Sequence, residues 1–222
     1  MHNRLTGLLL STAYFPPIEY FACIGNIHDV FIEKHENYKK QSYRNRCNIL
    51  SANGVLPLVI PVKRVKGKKT LITDIKPDYT CSWQKNHRIS IESAYRSSPF
   101  YEYYIDEIKP FFYKEFTYLI DLNAAILEKL LPLVDLPANW RFTEQYTNKT
   151  ESGIIDMRDN IHPKLKKGLD DRFFQPLTYY QVFSDRHGFQ SNLSILDVIF
   201  NTGPDARSII MNSFKIPGKL SF

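Results

Sequence analysis

Residues 5–33 read LTGLLLSTAYFPPIEYFACIGNIHDVFIE, and this stretch decides the fold class. Residues 5–14 form an apolar run with β-friendly content, which predicts a strand. Pro16-Pro17 stops it, because a proline cannot donate to a strand ladder, and the fixed φ of Pro17 suits the first position of a helix. Ile18, Phe21, Ala22 and Ile24 then share one helical face over 18–24, with Gly25-Asn26 as the end signal. Residues 29–33 carry Val30-Phe31-Ile32, a short buried-strand run. Two short apolar strands joined through a helix make a parallel βαβ unit, so the expectation is an α/β protein with a mostly parallel sheet.

Outward from this unit, residues 43–50 and 55–62 read as a β-hairpin closed by Asn53-Gly54, two residues that tolerate positive φ. Residues 70–75 predict a further short strand. Helices over 83–95, 99–112 and 117–131 form a central helical insertion, with Ser98-Pro99 as cap and first helical residue and Pro132 as the stop. Strand-like signals return at 140–146, 153–158 and 179–183. A helix over 193–200 follows, with Asn192 as its N-cap and Asn201-Thr202-Gly203-Pro204 as its stop, then a last helix to residue 213. No repeat and no linker divides the chain, so residues 1–222 read as a single α/β domain carrying a hairpin and a helical insertion at about 83–131.

A chain that is 43% hydrophobic and 23% charged, with 9 Gly and 13 Pro, is neither disordered, collagen-like nor of low complexity. Its net charge of +6 points to anionic partners. The densest basic run, KRVKGKK at 63–69, lies between strand-like segments with a Gly inside it and reads as a solvated loop, so nucleic acid is not expected. Cys23, Cys47 and Cys81 are odd in number and contain no Cys-x-x-Cys, which argues against a disulfide framework or a zinc site. The apolar run at Leu8-Leu9-Leu10 is too short for a secretion signal, and no run approaches the roughly eighteen residues of a membrane span. The expectation is a cytoplasmic protein with no transmembrane segment.

Several segments together resemble one family. Thr12-Ala13-Tyr14-Phe15-Pro16-Pro17-Ile18-Glu19-Tyr20-Phe21 is similar to the opening motif of the WbqC-like family, with Ser11, Pro17 and Glu19 standing where its commoner form has Gln, Trp and Gly. Lys40-Gln41-Ser42-Tyr43-Arg44-Asn45-Arg46 resembles its basic Ser-aromatic-x-Asn-Arg segment, followed as in the family by an apolar strand ending in proline, here Leu58-Val59-Ile60-Pro61-Val62. Trp83, Lys85 and His87, with Ser90-Ile91 and Ala94-Tyr95 behind them, match a third piece. Tyr180-Gln181-Val182-Phe183, Asn192 to Asp197, Phe200-Asn201 and Gly203-Pro204 match a fourth. The resemblance implies bacterial surface-polysaccharide (O-antigen) biosynthesis and transfer of an acyl or aminoacyl group, such as glycine, to an amino sugar. The partner it implies is a nucleotide-linked or lipid-linked sugar, and ATP or a nucleotide sugar is the candidate cofactor.

The residues themselves nominate sites. In an open parallel sheet, ligands bind beyond the carboxyl ends of the strands. Tyr14 lies at such an end, where the backbone N–H groups of the following helix are candidates to hold a phosphate. This strand-loop-helix layout is similar to that of HIGH-type nucleotidyltransferases and pantothenate-synthetase-like ligases, which place histidines in a loop where this sequence has none. The segment from Lys39 to Arg46 is the most chemically loaded, with four cations and Gln41, Ser42, Tyr43 and Asn45 between them, and Lys40, Ser42, Tyr43, Arg44, Asn45 and Arg46 are its binding candidates. If it is extended, Ser42, Arg44 and Arg46 share one side, and two guanidinium forks suit a diphosphate or a carboxylate; a solvated charged face gives the same pattern. His35 follows the second strand and His162 a later one, both candidates for acid–base work because imidazole titrates near neutrality. Arg158 and Lys164 are candidates to neutralise developing negative charge. His87, Tyr180, Gln181, Asn192 and Ser194 complete the substrate-binding candidates, and Asp197, inside an apolar helix, is either a structural partner for an Arg or a catalytic carboxylate. No metal motif, Gly-x-Ser-x-Gly elbow or glycine-rich phosphate loop occurs. The leading expectation is therefore a transferase, with a nucleotide-dependent ligase, a nucleotidyltransferase-like enzyme or a non-catalytic sugar-phosphate-binding protein as alternatives.

Overall fold

The computed structural model describes residues 7–63, 69–137, 139–146, 153–164 and 173–215. The opening βαβ unit is present: β1 (Gly7–Ser11), α1 (Ile18–Asn26) and β2 (Asp29–Glu33), with β1 and β2 parallel and Leu8 opposite Val30. Leu8, Leu10, Val30 and Ile32 are almost fully buried, and Leu9 on the opposite face of β1 is buried too. Such two-sided burial is what a continuous apolar run means in a parallel sheet.

The chain leaves the sheet after β2 and forms the hairpin β3 (Arg46–Ser51) and β4 (Gly54–Val59). Ser51 pairs with Gly54, so the two-residue loop is Ala52-Asn53 rather than Asn53-Gly54, and the positive φ, +99°, falls on Gly54 just after it. A two-stranded ribbon, β5 (Val62–Lys63) with β6 (Lys76–Pro77), follows. The strand expected at 70–75 is instead a single bridge at Leu71 and a 3₁₀ turn over Ile72–Asp74. The helical segment comprises α2 (Trp83–Tyr95), α3 (Tyr101–Ile108), continued by a 3₁₀ turn, and α4 (Leu119–Leu133). On α2 the buried residues Trp83, His87, Ile91 and Ala94 recur every three to four positions, the stripe of an amphipathic helix. Two boundary expectations fail here. Ser98-Pro99 does not open a helix, since α3 begins at Tyr101, and Pro132 sits in the last turn of α4 instead of ending it.

The chain then returns to the sheet at β7 (Trp140–Phe142), parallel to β2, and crosses to the opposite edge to form β8 (Ile154–Asp156), parallel to β1. The order is β7-β2-β1-β8, an all-parallel sheet whose direction of travel reverses at β1. The crevice beyond the carboxyl ends of β1 and β8 is thus the topological switch point, the expected ligand location in such folds. After the short α5 (Ser184–His187), α6 (Ile195–Thr202) and α7 (Ala206–Asn212) close the structure, α7 packing on α1 and α6 on α3. Residues 179–183 are not a strand: Gln181 is buried and its side chain bonds the Gln190 backbone at both N and O, so side-chain bonds replace a ladder. Among the described residues no helix is long and apolar enough to cross a membrane.

Candidate functional site at the sheet switch point

The three adjacent strands β2, β1 and β8 each end in a polar residue, and the three ends meet. Ser11 closes β1, Glu33 closes β2, and Asp156 closes β8. Glu33 is fully buried yet satisfied: its Oε1 accepts from the His35 backbone N–H at 2.8 Å and Thr143 Oγ1 at 2.7 Å, and its Oε2 accepts from Arg158 Nη1 at 3.2 Å. Arg158 also clamps Asp156, donating from Nε at 2.9 Å and Nη2 at 2.6 Å, with its ring-facing side over Tyr146. Burial opposes ionisation of Asp156, but the side-chain and backbone bonds from Arg158 outweigh it and hold the carboxyl below its ordinary pKa.

The segment after β2 brings in a second buried pair. Residues 43–45 form a 3₁₀ turn, so the alternation expected of an extended segment does not occur. Arg44 points inward, 3% exposed, and forks onto Glu36: Nε donates to Oε1 at 2.8 Å and Nη2 bonds Oε2. Arg44 Nη2 also donates to Ser11 Oγ, whose single proton is shared between the Arg158 carbonyl at 3.1 Å and Glu36 Oε2 at 3.3 Å. Tyr20 Oη donates to the Ser11 carbonyl at 2.9 Å. Arg44 is therefore a buried keystone between β1 and this segment, with its own carbonyl accepting from Asn123. Ser42 and Asn45 are likewise buried and bonded to backbone, to Lys39 O and Ile60 O. Arg46 differs. It is half-buried, its Nε is sealed from solvent without a hydrogen-bond partner, and among the described residues no carboxylate pairs with it.

A third wall comes from residues 156–164. His162 Nδ1 accepts the Lys164 backbone N–H at 3.1 Å, so a neutral ring carries its proton on Nε2. Burial pushes its pKa down, and the nearby Arg44 and Arg46 guanidinium groups push the same way. His162 is thus neutral at pH 7 and a hydrogen-bond donor. His35 has the complementary arrangement. Its Nε2 donates to the Thr143 carbonyl at 3.2 Å, which leaves the Nδ1 lone pair as the basic atom of the neutral ring. Lys164 Nζ donates to Gln41 Oε1 at 2.7 Å, and Lys39 Nζ meets both Asp159 oxygens, at 2.5 and 2.7 Å. Between these walls the crevice, lined by Ser11, Thr12, Tyr43, Arg44, Arg158 and Ile161 among others, has room for about 10 Å³, one water. Lys40 lies exposed on the same segment.

The remaining expected site residues lie elsewhere. Tyr14 and His87 are both buried, with Tyr14 Oη 2.9 Å from His87 Nδ1; His87 also faces the Val59 carbonyl, so the neutral ring donates there and accepts from Tyr14. Burial lowers the His87 pKa to about 4, which keeps that ring neutral. The start of α1 is not open to a phosphate. Ile18 N–H donates to Leu193 O, Glu19 N–H to Asn192 Oδ1 and Tyr20 N–H to Pro17 O, each at 3.0 Å. Asn192 also donates to Glu19 Oε2 and does not cap α6; the cap is Ser194, which accepts from Leu196 N–H and donates to Phe15 O. Asp197 is fully buried and, among the described residues, has no Arg beside it. Tyr95 Oη, Tyr179 Oη and Gln181 Nε2 donate to it at 2.9, 2.6 and 2.8 Å, and burial raises its pKa to about 6 against those bonds. Tyr180 is exposed. Of the expected residues, the fold brings Tyr43, Arg44, Arg46, Arg158, His162 and Lys164 to the switch point, with Lys40, Ser42 and Asn45 on the same segment and His35 two residues beyond the end of β2. It sets Tyr14, His87, Gln181, Asn192, Ser194 and Asp197 in the packing that holds α1, α2 and α6 together.

Sequence reasoning did not assign roles to Ser11, Tyr20, Glu33, Glu36, Thr143 or the Lys39–Asp159 pair. An acidic residue at the end of an apolar strand, as at Glu33 and Asp156, was the available signal. Among the described residues no three His, Cys, Asp or Glu side chains gather as a metal site, and burial raises the thiol pKa of Cys23 and Cys47, which suits packing rather than nucleophilic attack.

A model of the WbqC-like protein family matches residues 12–165. The chain is 24% identical over 221 residues to the uncharacterized protein Rv1507c of Mycobacterium tuberculosis (strain ATCC 25618 / H37Rv), an overlap of 89% of this chain and 94% of that protein. No solved structure matches it significantly.

Proposed function

Because the chain belongs to the WbqC-like protein family, we propose that it is a cytoplasmic transferase of surface-polysaccharide (O-antigen-type) biosynthesis, placing an acyl or aminoacyl group on an amino sugar carried by a nucleotide or a lipid phosphate. The observation that carries this reading is Arg46: a guanidinium with a buried, unpartnered Nε beside neutral His162, at the switch point of a parallel sheet. A desolvated N–H without an acceptor is costly, and a phosphate or carboxylate oxygen of the substrate supplies one. Lys164 and Lys40 add positive charge on the same side. His35 Nδ1 takes the proton from the sugar amine as its nitrogen attacks the carbonyl of an activated acyl donor. The carbonyl oxygen accepts from His162 Nε2–H while negative charge builds on it. When the bond to the leaving group breaks, that group departs with the electron pair and receives the proton from His35. Arg158 and Glu33 hold the strand ends that position both histidines, and Arg44, spent on Glu36, shapes the floor. The three free cysteines suit a reducing compartment.

The ligase-like alternative would seat a nucleotide phosphate on the start of α1, where the amides are already occupied. The same experiment separates a sugar-phosphate binder without catalysis. UDP- and dTDP-linked amino sugars are titrated calorimetrically into the wild type and Arg46→Met, and the mixtures are followed by mass spectrometry with an activated acyl donor. The reading expects binding that weakens about tenfold or more in Arg46→Met, and acylation that His35→Asn abolishes with binding intact. Binding without acylation identifies the binder; binding unchanged in Arg46→Met removes this crevice as the site.

A further inference from the structure

We propose that Lys39 and Lys164 are two arms of a phosphate or diphosphate subsite, held in the free protein by Asp159 and Gln41 as internal stand-ins that the substrate displaces. The inference rests on the reading of the same crevice as an anion site. Lys39 Nζ lies 2.5 and 2.7 Å from the two Asp159 oxygens, so the carboxylate offers the lysine the two-oxygen edge that a phosphate would. Lys164 Nζ lies 2.7 Å from Gln41 Oε1, a neutral acceptor that a charged oxygen outcompetes. Both bonds cross between residues 39–46 and 156–164, the segments whose Tyr43, Arg44, Met157, Arg158 and Ile161 line a crevice with room for about one water. The walls must part before a sugar phosphate enters.

The ties suit exchange. The side chains of Lys39 and Asp159 are 52% and 66% exposed, and an exposed ion pair adds little stability, so its loss does not threaten the fold. Gln41 is held at φ +56°, a left-handed backbone that non-glycine residues seldom adopt, and such strain collects where a segment is positioned for a task. Neighbouring charges fit the same picture: Lys39 also acts on Asp156, and Asp159 on His162, whose ring feels Arg44 and Arg46 as well. Displacing Asp159 thus removes a negative charge from the cluster as the ligand brings its own.

The test titrates inorganic pyrophosphate by calorimetry into the wild type, Asp159→Asn, Gln41→Ala, Lys39→Met and Lys164→Met at one salt concentration. UDP and phosphatidic-acid vesicles serve as separate arms for a soluble and a lipid-borne phosphate. Asp159→Asn should bind pyrophosphate roughly threefold to fivefold tighter, since the competing ion pair is gone, and Gln41→Ala should shift the same way. Each lysine variant should bind about tenfold weaker, and Asp159→Asn should give no gain in a Lys39→Met background. Asp159→Asn binding no tighter, or lysine variants binding as the wild type does, overturns the proposal. Failure of the transferase reading looks different: the pyrophosphate pattern holds while no sugar is acylated.

Discussion

Asp197→Asn tests the buried carboxylate through its pH dependence. The Asp197 carboxyl is fully buried, accepts three hydrogen bonds and has no cationic partner among the described residues. Burial outweighs the bonds from Tyr179, Gln181 and Tyr95 and raises its pKa from 3.8 to about 6. The folded protein therefore keeps this proton up to about pH 6, whereas the unfolded chain releases it near pH 4. Stability from this group is complete below about pH 4, declines as pH rises to about 6 and stays low above it. The gap of about two pH units, at about 1.4 kcal/mol each, makes the swing about 3 kcal/mol. Asparagine keeps the shape but cannot titrate, and its NH₂ faces a donor, so the variant carries a constant penalty instead. Urea unfolding of both proteins across about pH 4–8 reads the difference, and subtraction cancels groups common to both, His87 included. The stability advantage of the wild type over Asp197→Asn should shrink by about 3 kcal/mol between pH 4 and 7. A difference that is flat, or that grows with pH, would mean Asp197 is ionised throughout and would refute the reasoning.

Two further substitutions probe the frame of the fold. Glu36→Gln leaves Arg44 buried without its counter-ion and should cost roughly 3–5 kcal/mol, lowering Tm by about 10 °C; Glu36→Gln with Arg44→Met should recover part of it, and a single variant that melts like the wild type would place Arg44 in water. Gly203 has φ +53°, and a Cβ there would lie 2.5–2.7 Å from the Phe100 ring, so Gly203→Ala should lose about 1–3 kcal/mol in urea unfolding, whereas an unchanged midpoint would show that Phe100 moves aside.

The sequence carried the elements whose signal is local. The βαβ unit was legible because Leu8 to Leu10 and Val30 to Ile32 are uninterrupted apolar runs separated by a proline pair and a helical stripe. The limits expected for β2 and for α2 are those observed, Asp29–Glu33 and Trp83–Tyr95, because polar residues and the buried-residue spacing mark them. Residues 179–183 were misread because Tyr180-Gln181-Val182-Phe183 has β propensity, while the fate of the segment depends on Gln181 reaching Gln190 and Asp197. Arg44 and Arg46 looked equivalent. What separates them is Glu36, eight residues from Arg44, which neutralises it inside the core and leaves Arg46 with its orphaned Nε.

The sequence by itself thus determined the α/β class, the existence of most elements, and the candidate segments at 35–46 and 156–164. Only the tertiary structure decided that these segments face each other across β1 and β8, and that Asn192 and Leu193 seal the start of α1. It alone also decided that Asp197 answers to two tyrosines and a glutamine instead of an arginine. The reason is physical. Periodicity and turn chemistry act between residues a few positions apart and leave a trace in local order. A buried charge takes whichever partner the folded chain brings to it, here 125 residues away for Glu33 and Arg158, and no local pattern records that.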